Sequence, residues 1–356
     1  LNRWVMRFFK GNALAALKLR LGDDQHEGID EDGQTLFFHE LTRNLFEVDW
    51  ISEADLRRYD LHVVEHWQAI TKHRNQLEGH VLNMKYFQYL SLLFIEIYLD
   101  WYFTKPQALL DGLNEELATY SKEQGAETFQ PYIASDLNKI AFWNATGSGK
   151  TLLLHVNIKQ YLHYFQAGNS SLYPDKIILL TPNEGLSKQH LEELELSGFS
   201  FSRFFDKNQT NTFKGTIEII DINKLGDSMG DKTVAVEAFE GNNLVLVDEG
   251  HRGTGTAAGA WMQRRDALVR GGFAFEYSAT FGQAVAKGNT VAKAEEELLK
   301  KKAKTLFETT ALKRLDDAQL AQLVLTQAEQ RQARITATRE IYAKCILFDY
   351  SYKYFY

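Results

Sequence analysis

The sequence contains only one cysteine, Cys345, and only four prolines in 356 residues. A single cysteine excludes any disulfide within the chain, which suits a reducing, cytoplasmic compartment. No run approaches the ~18 apolar residues of a membrane span. The most apolar stretch, residues 89–98, is interrupted by Ser91 and Glu96 and is better explained as a buried helix. We therefore expect a cytoplasmic protein with no membrane segment.

Positive charge is also scarce. The 40 Lys and Arg residues are outnumbered by 47 Asp and Glu residues, which gives a net charge of −7. A protein that coats nucleic acid by itself is usually basic, so any such contact must come from local patches or from other parts of a larger protein. The sequence begins with Leu1 and ends at Tyr356 without a closing element, and we expect a fragment of a longer chain.

The pattern of apolar residues divides the chain into three zones. Residues 1–135 are predicted to be mostly helical, because helix-like apolar spacing is found over residues 55–71, 82–103 and 109–120. Residues 287–356 are predicted to form a charged helical hairpin, over residues 294–302 and 319–334, followed by the start of a truncated element with a β-like stretch at 346–356.

The middle zone, residues 136–286, alternates short β-like runs with helical patterns. The predicted strands are residues 139–143, 176–181, 216–221, 242–248 and 272–278, and the predicted helices are residues 150–165, 184–196 and 257–269. Such alternation, with strands that are apolar almost throughout, predicts an α/β fold: a parallel sheet with helices on both faces.

A glycine-rich loop follows the first predicted strand and opens a helix. Its glycines let backbone N–H groups turn towards phosphate oxygens, and the helix N-terminus adds partial positive charge. The pattern indicates a P-loop in which Lys150 reaches the β and γ phosphates and the Thr151 hydroxyl binds Mg²⁺. Asn144 stands where the usual pattern has another glycine. The predicted nucleotide-binding residues are Thr146, Gly147, Ser148, Gly149, Lys150 and Thr151.

Two carboxylates, Asp248 and Glu249, end the apolar run of residues 244–247. Ligands of open α/β sheets bind at the carboxyl ends of strands. Asp248 is therefore the predicted Mg²⁺ ligand, and Glu249 is predicted to orient and polarise the attacking water. With Lys150 they form the predicted catalytic set. His251, two residues further on, is predicted to sense the γ-phosphate or to couple hydrolysis to a second lobe.

Two further turns follow predicted strands. Ser278 and Thr280 lie after the acidic pair in the chain, and their hydroxyls are candidates to relay its state. Thr181 and Pro182 precede the helix at residues 184–196, where backbone N–H groups suit a nucleic-acid phosphate. Spacing alone favours a simple N-capped helix at this second turn.

The segments ATGSGKT, TPNEGLSKQH, VDEGH and YSATF occur in the order of motifs I, Ia, II and III of superfamily 2 helicases. The chain most closely resembles the helicase-like restriction (R) subunits of type III restriction enzymes, in NLVLVDEGHRG, FAFEYSATFGQA and ILFDYSYKYFY. The resemblance implies that residues 136–286 are a RecA-like first motor lobe. It also implies ATP and Mg²⁺ as cofactors, an ATP-driven translocase on duplex DNA, a methyltransferase partner and a role in restriction or phage defence.

The resemblance also implies that Gln88, in the segment KYFQYLSLLF, reads the adenine base with Phe87 stacking nearby; a buried amphipathic helix with one polar residue explains the same segment. A second motor lobe with its arginine finger does not fit after residue 286, and no nuclease signature is recognisable. We therefore expect slow ATP turnover by this chain alone, because such a finger can contribute ~10³–10⁵ in rate. The alternatives are an RNA or DNA helicase without nuclease, and a nucleotide-gated protein-interaction module.

Overall fold

The computed structural model describes residues 1–10, 14–45, 50–124, 131–206, 213–226, 234–235, 239, 241–249, 265–279, 289–312, 315–327, 329–330, 333 and 345–350. The helices are α1 (Asn2–Met6), α2 (Leu14–Leu21), α3 (Leu36–Glu40), α4 (Glu53–Glu78), α5 (Tyr86–Thr104), α6 (Pro106–Gln124), α7 (Lys150–Gly168), α8 (Glu184–Leu196), α9 (Asn289–Phe307) and α10 (Asp317–Gln322). A π-helical turn spans Leu41–Leu45, and short 3₁₀ turns lie at Asp24–His26, Ala134–Asp136 and Ile222–Lys224.

The strands of the described residues are β1 (Lys139–Asn144), β2 (Lys176–Thr181), β3 (Ser202–Phe204), β4 (Ile217–Asp221), β5 (Leu225–Gly226), β6 (Val234–Ala235), β7 (Asn243–Asp248), β8 (Phe273–Ser278) and β9 (Ile346–Tyr350). Seven of them, all parallel, form the central sheet in the order β3-β4-β2-β7-β8-β1-β9. The short strands β5 and β6 pair with each other outside this sheet. The predicted RecA-like α/β fold is confirmed.

Helix α4 of the first zone begins and ends where the sequence supplies caps. The Ser52 hydroxyl accepts a hydrogen bond of 3.0 Å from the Asp55 N–H at the start of α4. Gly79 ends this helix with a left-handed φ of 73°, which glycine adopts without a Cβ penalty. Helix α5 is buried along most of its length, from Gln88 to Asp100, as its apolar sequence predicts. The described residues confirm the helical character of this zone.

One apolar core joins the first zone to the sheet. Phe94 of α5 is fully buried, with its ring centroid 5.6 Å from that of Phe9 and 5.6 Å from that of Phe348 in β9. The same core includes Phe142 of β1 and Leu154 of α7. Helix α5 therefore covers the face of the sheet beside β1 and β9, and it brings its N-terminus close to the P-loop.

Two predictions in the later part of the chain differ from the structure or lie beyond it. The second helix of the charged hairpin ends at Gln322, and residues 323–326 are not helical, so the prediction of one helix over residues 319–334 is wrong. Lys302 of α9 nevertheless contacts the segment that follows α10, because its ammonium lies 3.1 Å from Glu329 Oε2. Most of the predicted helix 257–269 lies outside the described residues; residues 265–269 are helical.

Candidate nucleotide-binding site

The P-loop connects the carboxyl end of β1 to the first turn of α7. Gly147 and Gly149 have left-handed φ angles of 84° and 80°, which an L side chain adopts only with strain. A Cβ on Gly147 would meet nothing within 4 Å, whereas a Cβ on Gly149 would lie 2.5 Å from Gln88 Nε2. The backbone of the loop therefore favours glycine at both positions, and a side chain at position 149 would also have to displace the Gln88 amide.

The acidic pair lies at the carboxyl end of β7, which is separated from β1 by β8 alone. Glu249 follows the strand with a φ of 52°, a left-handed conformation that is uncommon for a residue with a side chain. This turn places Glu249 Oε1 3.5 Å from Lys150 Nζ. Two residues 99 positions apart in the sequence (249 − 150) are thus in direct contact, because parallel strands end at one edge of the sheet.

A cavity of about 240 Å³ lies between the P-loop helix and the acidic pair. It is lined by Lys150, Thr151, Leu186, Gln189, His190, Asp248 and Glu249. The donors suit the expected ligand: Lys150 and the start of α7 provide positive charge for phosphate, while the Thr151 hydroxyl and the Asp248 carboxylate are hard oxygen ligands of the kind Mg²⁺ takes. Lys150, Asp248 and Glu249 remain largely buried, with side chains 13%, 12% and 20% exposed.

The strand next to the acidic pair carries a fully buried tyrosine. Tyr277 of β8 pairs in register with Asp248, and its hydroxyl donates a hydrogen bond of 2.6 Å to Asn157 Oδ1 of α7. Burial, together with the Asp248 charge, raises the pKa of Tyr277 well above its usual value. The phenol therefore stays protonated beside the acidic pair and adds no charge to it.

Residues 105–283 match the family model described as "Type III restriction enzyme, res subunit". This range covers half of the chain and includes the P-loop, the acidic pair and strands β1 to β8. The chain belongs to this family. It has no match among curated proteins. Membership of the res-subunit family makes the chain a helicase-like, ATP-dependent motor domain of the type III restriction kind.

Gln88, which precedes the matched range, contacts the P-loop directly. Its Nε2 donates to the Ser148 carbonyl at 3.2 Å, and its Oε1 accepts from the Lys85 N–H at 2.9 Å. The Phe87 ring stacks on Tyr350 of β9, with centroids 4.3 Å apart and planes within 9°. Both residues therefore already have partners within the chain, and their contact with adenine stays a prediction.

The predicted nucleic-acid turn after β2 is built from internal hydrogen bonds. Thr181 is 1% exposed, and its hydroxyl lies 2.5 Å from that of Ser187. Asn183 is the N-cap of α8, because its Oδ1 accepts from the Leu186 N–H at 2.9 Å. Pro182 is partly exposed, and its carbonyl accepts from Asn223 Nδ2 at 3.3 Å. A role of Thr181 and Pro182 in nucleic-acid binding stays a prediction.

The predicted coupling residues are described in part. Ser278 ends β8 and is fully buried, in register with Trp143 of β1, so it lies between the ends of β7 and β1. This place suits a relay between the acidic pair and the P-loop. His251 and Thr280 lie outside the described residues.

One site residue was missed by the sequence analysis. His190 of α8 has its Nε2 2.9 Å from Asp248 Oδ2, and its side chain is 4% exposed. Its position three residues after Ser187 places both on the buried side of α8, which is a weak signal for function. No pattern in the sequence locates the end of β7 beneath that side of the helix.

Proposed function

We propose that this chain is the ATP-binding first motor lobe of a DNA-dependent ATPase that acts in type III-like restriction or phage defence. The observation that carries the proposal is that Lys150, Thr151, Asp248 and Glu249 line a common cavity. Family membership supports the motor class, and it supports nucleoside-triphosphate hydrolysis and nucleic-acid binding in general terms. Duplex DNA as the track, a methyltransferase as a partner and a defence role are our extensions of that membership.

Each residue around the cavity has a proposed task. Lys150 and the P-loop N–H groups hold the β and γ phosphates, and the oxygens of Thr151 and Asp248 hold Mg²⁺. The bound Mg²⁺ would neutralise charge on the phosphates during transfer. Glu249 accepts a proton from, or orients, the attacking water once phosphate has drawn Lys150 away from it. Catalysis in such a site is mostly positioning and charge neutralisation.

The remaining roles are proposals of the same kind. We assign coupling to Ser278, His251 and Thr280, adenine recognition to Gln88, and a contact with the nucleic-acid strand to Thr181 and Pro182. We propose a helical region at residues 1–135, a motor lobe at 136–286 and a hairpin with a following element at 287–356, whose strand β9 pairs with β1 of the lobe. Slow turnover by the isolated chain is expected, because family resemblance places the arginine finger on a facing lobe.

The proposal is tested by steady-state ATP hydrolysis of the natural full-length protein. The rate is measured without nucleic acid and with duplex DNA, single-stranded DNA or RNA, beside a Glu249→Gln control. Stimulation by duplex DNA that the control loses supports the proposal. Stimulation by RNA or single strands alone replaces it with a helicase that lacks nuclease. Equal rates under all conditions overturn both motor proposals and favour a nucleotide-gated interaction module.

A further inference from the structure

His190 is a buried histidine on α8 that contacts the acidic pair of the cavity. Its Nε2 lies 2.9 Å from Asp248 Oδ2, so a ring protonated at Nε2 donates a hydrogen bond to the carboxylate. The two side chains are 4% and 12% exposed. Hydrogen bonds to an ionised acceptor are stronger than those between neutral groups, and low exposure spares this one from competition with water. The contact therefore fixes the direction of the Asp248 carboxylate.

The other nitrogen of the ring makes no comparable bond. His190 Nδ1 is buried and has no hydrogen-bond partner among the described residues. Buried polar atoms in native proteins are nearly always paired, so an unpaired one calls for a functional explanation. Asp248 is consequently the polar group that anchors the ring, and the ring is oriented for this carboxylate.

Helix α8 connects this contact to the turn after β2. The helix begins next to Asn183, its N-cap, and Ser187 in its first turns bonds to Thr181. His190 follows Ser187 by three residues and lies on the same side of the helix. A displacement of the turn at Thr181 would therefore move the ring that holds Asp248, because both contacts belong to one rigid element.

We propose that His190 is a positioning residue that holds the Asp248 carboxylate for Mg²⁺ and ties its position to helix α8. The inference rests on the proposed function, because Asp248 is there assigned as the metal ligand. Hydrogen-bond partners of ligating carboxylates act on the metal through the ligand they orient, and their loss typically costs 10–100-fold in metal affinity or activity.

The test compares two replacements of similar size. His190→Leu fills the space without a donor, whereas His190→Gln offers an amide N–H near the position of Nε2. Binding of a non-hydrolysable fluorescent ATP analogue is titrated at increasing Mg²⁺ and also in EDTA. We expect His190→Leu to raise the Mg²⁺ concentration for half-maximal enhancement of binding about tenfold. The affinity in EDTA should stay within about twofold of wild type, and His190→Gln should recover most of the Mg²⁺ response.

Glu192→Ala, an exposed change on the same helix, is the matched control and should behave as wild type. A wild-type Mg²⁺ response in folded His190→Leu overturns the proposal. Equal defects in the leucine and glutamine variants also overturn it, since they would show that volume rather than hydrogen bonding matters. His190→Asn, whose shorter amide stops short of Asp248, replaces the leucine variant if that variant does not fold.

The outcome is separable from that of the proposed function, because Mg²⁺-dependent binding is read without turnover. Wild-type protein that binds the analogue with Mg²⁺ but shows no hydrolysis stimulated by nucleic acid refutes the motor proposal and leaves the role of His190 testable.

Discussion

Lys150 and Glu249 face each other across the cavity with 3.5 Å between Nζ and Oε1. A bound phosphate must therefore compete with Glu249 for the ammonium group. Opposite charges at this distance in a partly buried site interact more strongly than in water, yet each side chain keeps some exposure that screens the pair. Exchange of the Lys150 partner from carboxylate to phosphate would also release Glu249 to contact water.

Substitution of either partner separates binding from turnover. Lys150→Ala should abolish nucleotide binding, because it removes the positive charge that faces the phosphates. Glu249→Gln should bind nucleotide at least as tightly as wild type while it loses hydrolysis, because the amide does not hold Lys150 as an ion. Fluorescence titration and a phosphate-release assay measure the two properties. Wild-type affinity in Lys150→Ala would refute the P-loop assignment, and retained turnover in Glu249→Gln would remove Glu249 from its role.

The two glycines of the P-loop make a matched pair for a stability measurement. Alanine at either position adopts a left-handed φ, which costs about 1–2 kcal/mol. Gly149→Ala should lower the free energy of unfolding further than Gly147→Ala, because its Cβ would lie 2.5 Å from Gln88 Nε2. Urea unfolding measures both variants. The excess cost of Gly149→Ala should shrink in a Gln88→Ala background, and an unchanged excess would contradict the steric explanation.

Among individual residues, the sequence predicted those whose roles follow from the order of their neighbours along the chain. Lys150 follows the apolar strand β1 through the P-loop, and Asp248 ends the apolar strand β7. Parallel strands bring such ends to one edge of the sheet. The bond of Gln88 to the P-loop and that of His190 to Asp248 were not predictable in the same way. Each depends on how one helix is placed over a loop or strand that is distant in sequence, and no local pattern encodes that placement.

Helices α4 and α7 pack together through three histidine rings. The His66 ring centroid lies 6.4 Å from that of His62 and 5.9 Å from that of His163. Burial lowers the pKa of His66 to about 4, although the charge of Glu96 acts in the opposite direction. The His66 ring is therefore neutral in the folded protein at neutral pH, whereas in the unfolded chain it takes up a proton near its ordinary pKa.

This difference makes stability depend on pH. Between pH 6.5 and about 4 the unfolded chain binds more protons at His66 than the folded protein does, so acidification favours unfolding. From pH 7 to pH 5, wild-type protein should lose about 2 kcal/mol more stability than His66→Gln. Urea unfolding at the two pH values measures the difference. Parallel losses in the two proteins would show that His66 is not held neutral by the fold.

At the scale of the whole molecule, the last described strand joins the sheet beside the first. Strand β9 pairs with β1, and the Ala145 N–H next to the P-loop donates to the Tyr350 carbonyl at 2.8 Å. The aromatic, β-like character of this segment predicted a strand but not its neighbour. Pairing between segments about 200 residues apart is decided by the core that both share, and Phe348 reaches this core through contact with Phe94.

The shared core predicts that the helical zone and the sheet unfold together. Phe94 is fully buried between Phe9 and Phe348, so Phe94→Ala should cost about 3–5 kcal/mol. Hydrogen exchange read by mass spectrometry should show equal losses of protection in peptides from α5 and β7. Leu172→Ala, at a residue that is 66% exposed, is the control and should change the free energy of unfolding by no more than about 0.5 kcal/mol. A loss confined to α5 would mean that residues 1–135 fold as a unit separate from the motor lobe. Equal losses in both would show that the helical zone and the sheet unfold as one cooperative unit. Nucleotide binding at the P-loop would then also change the stability of the helices that pack on it.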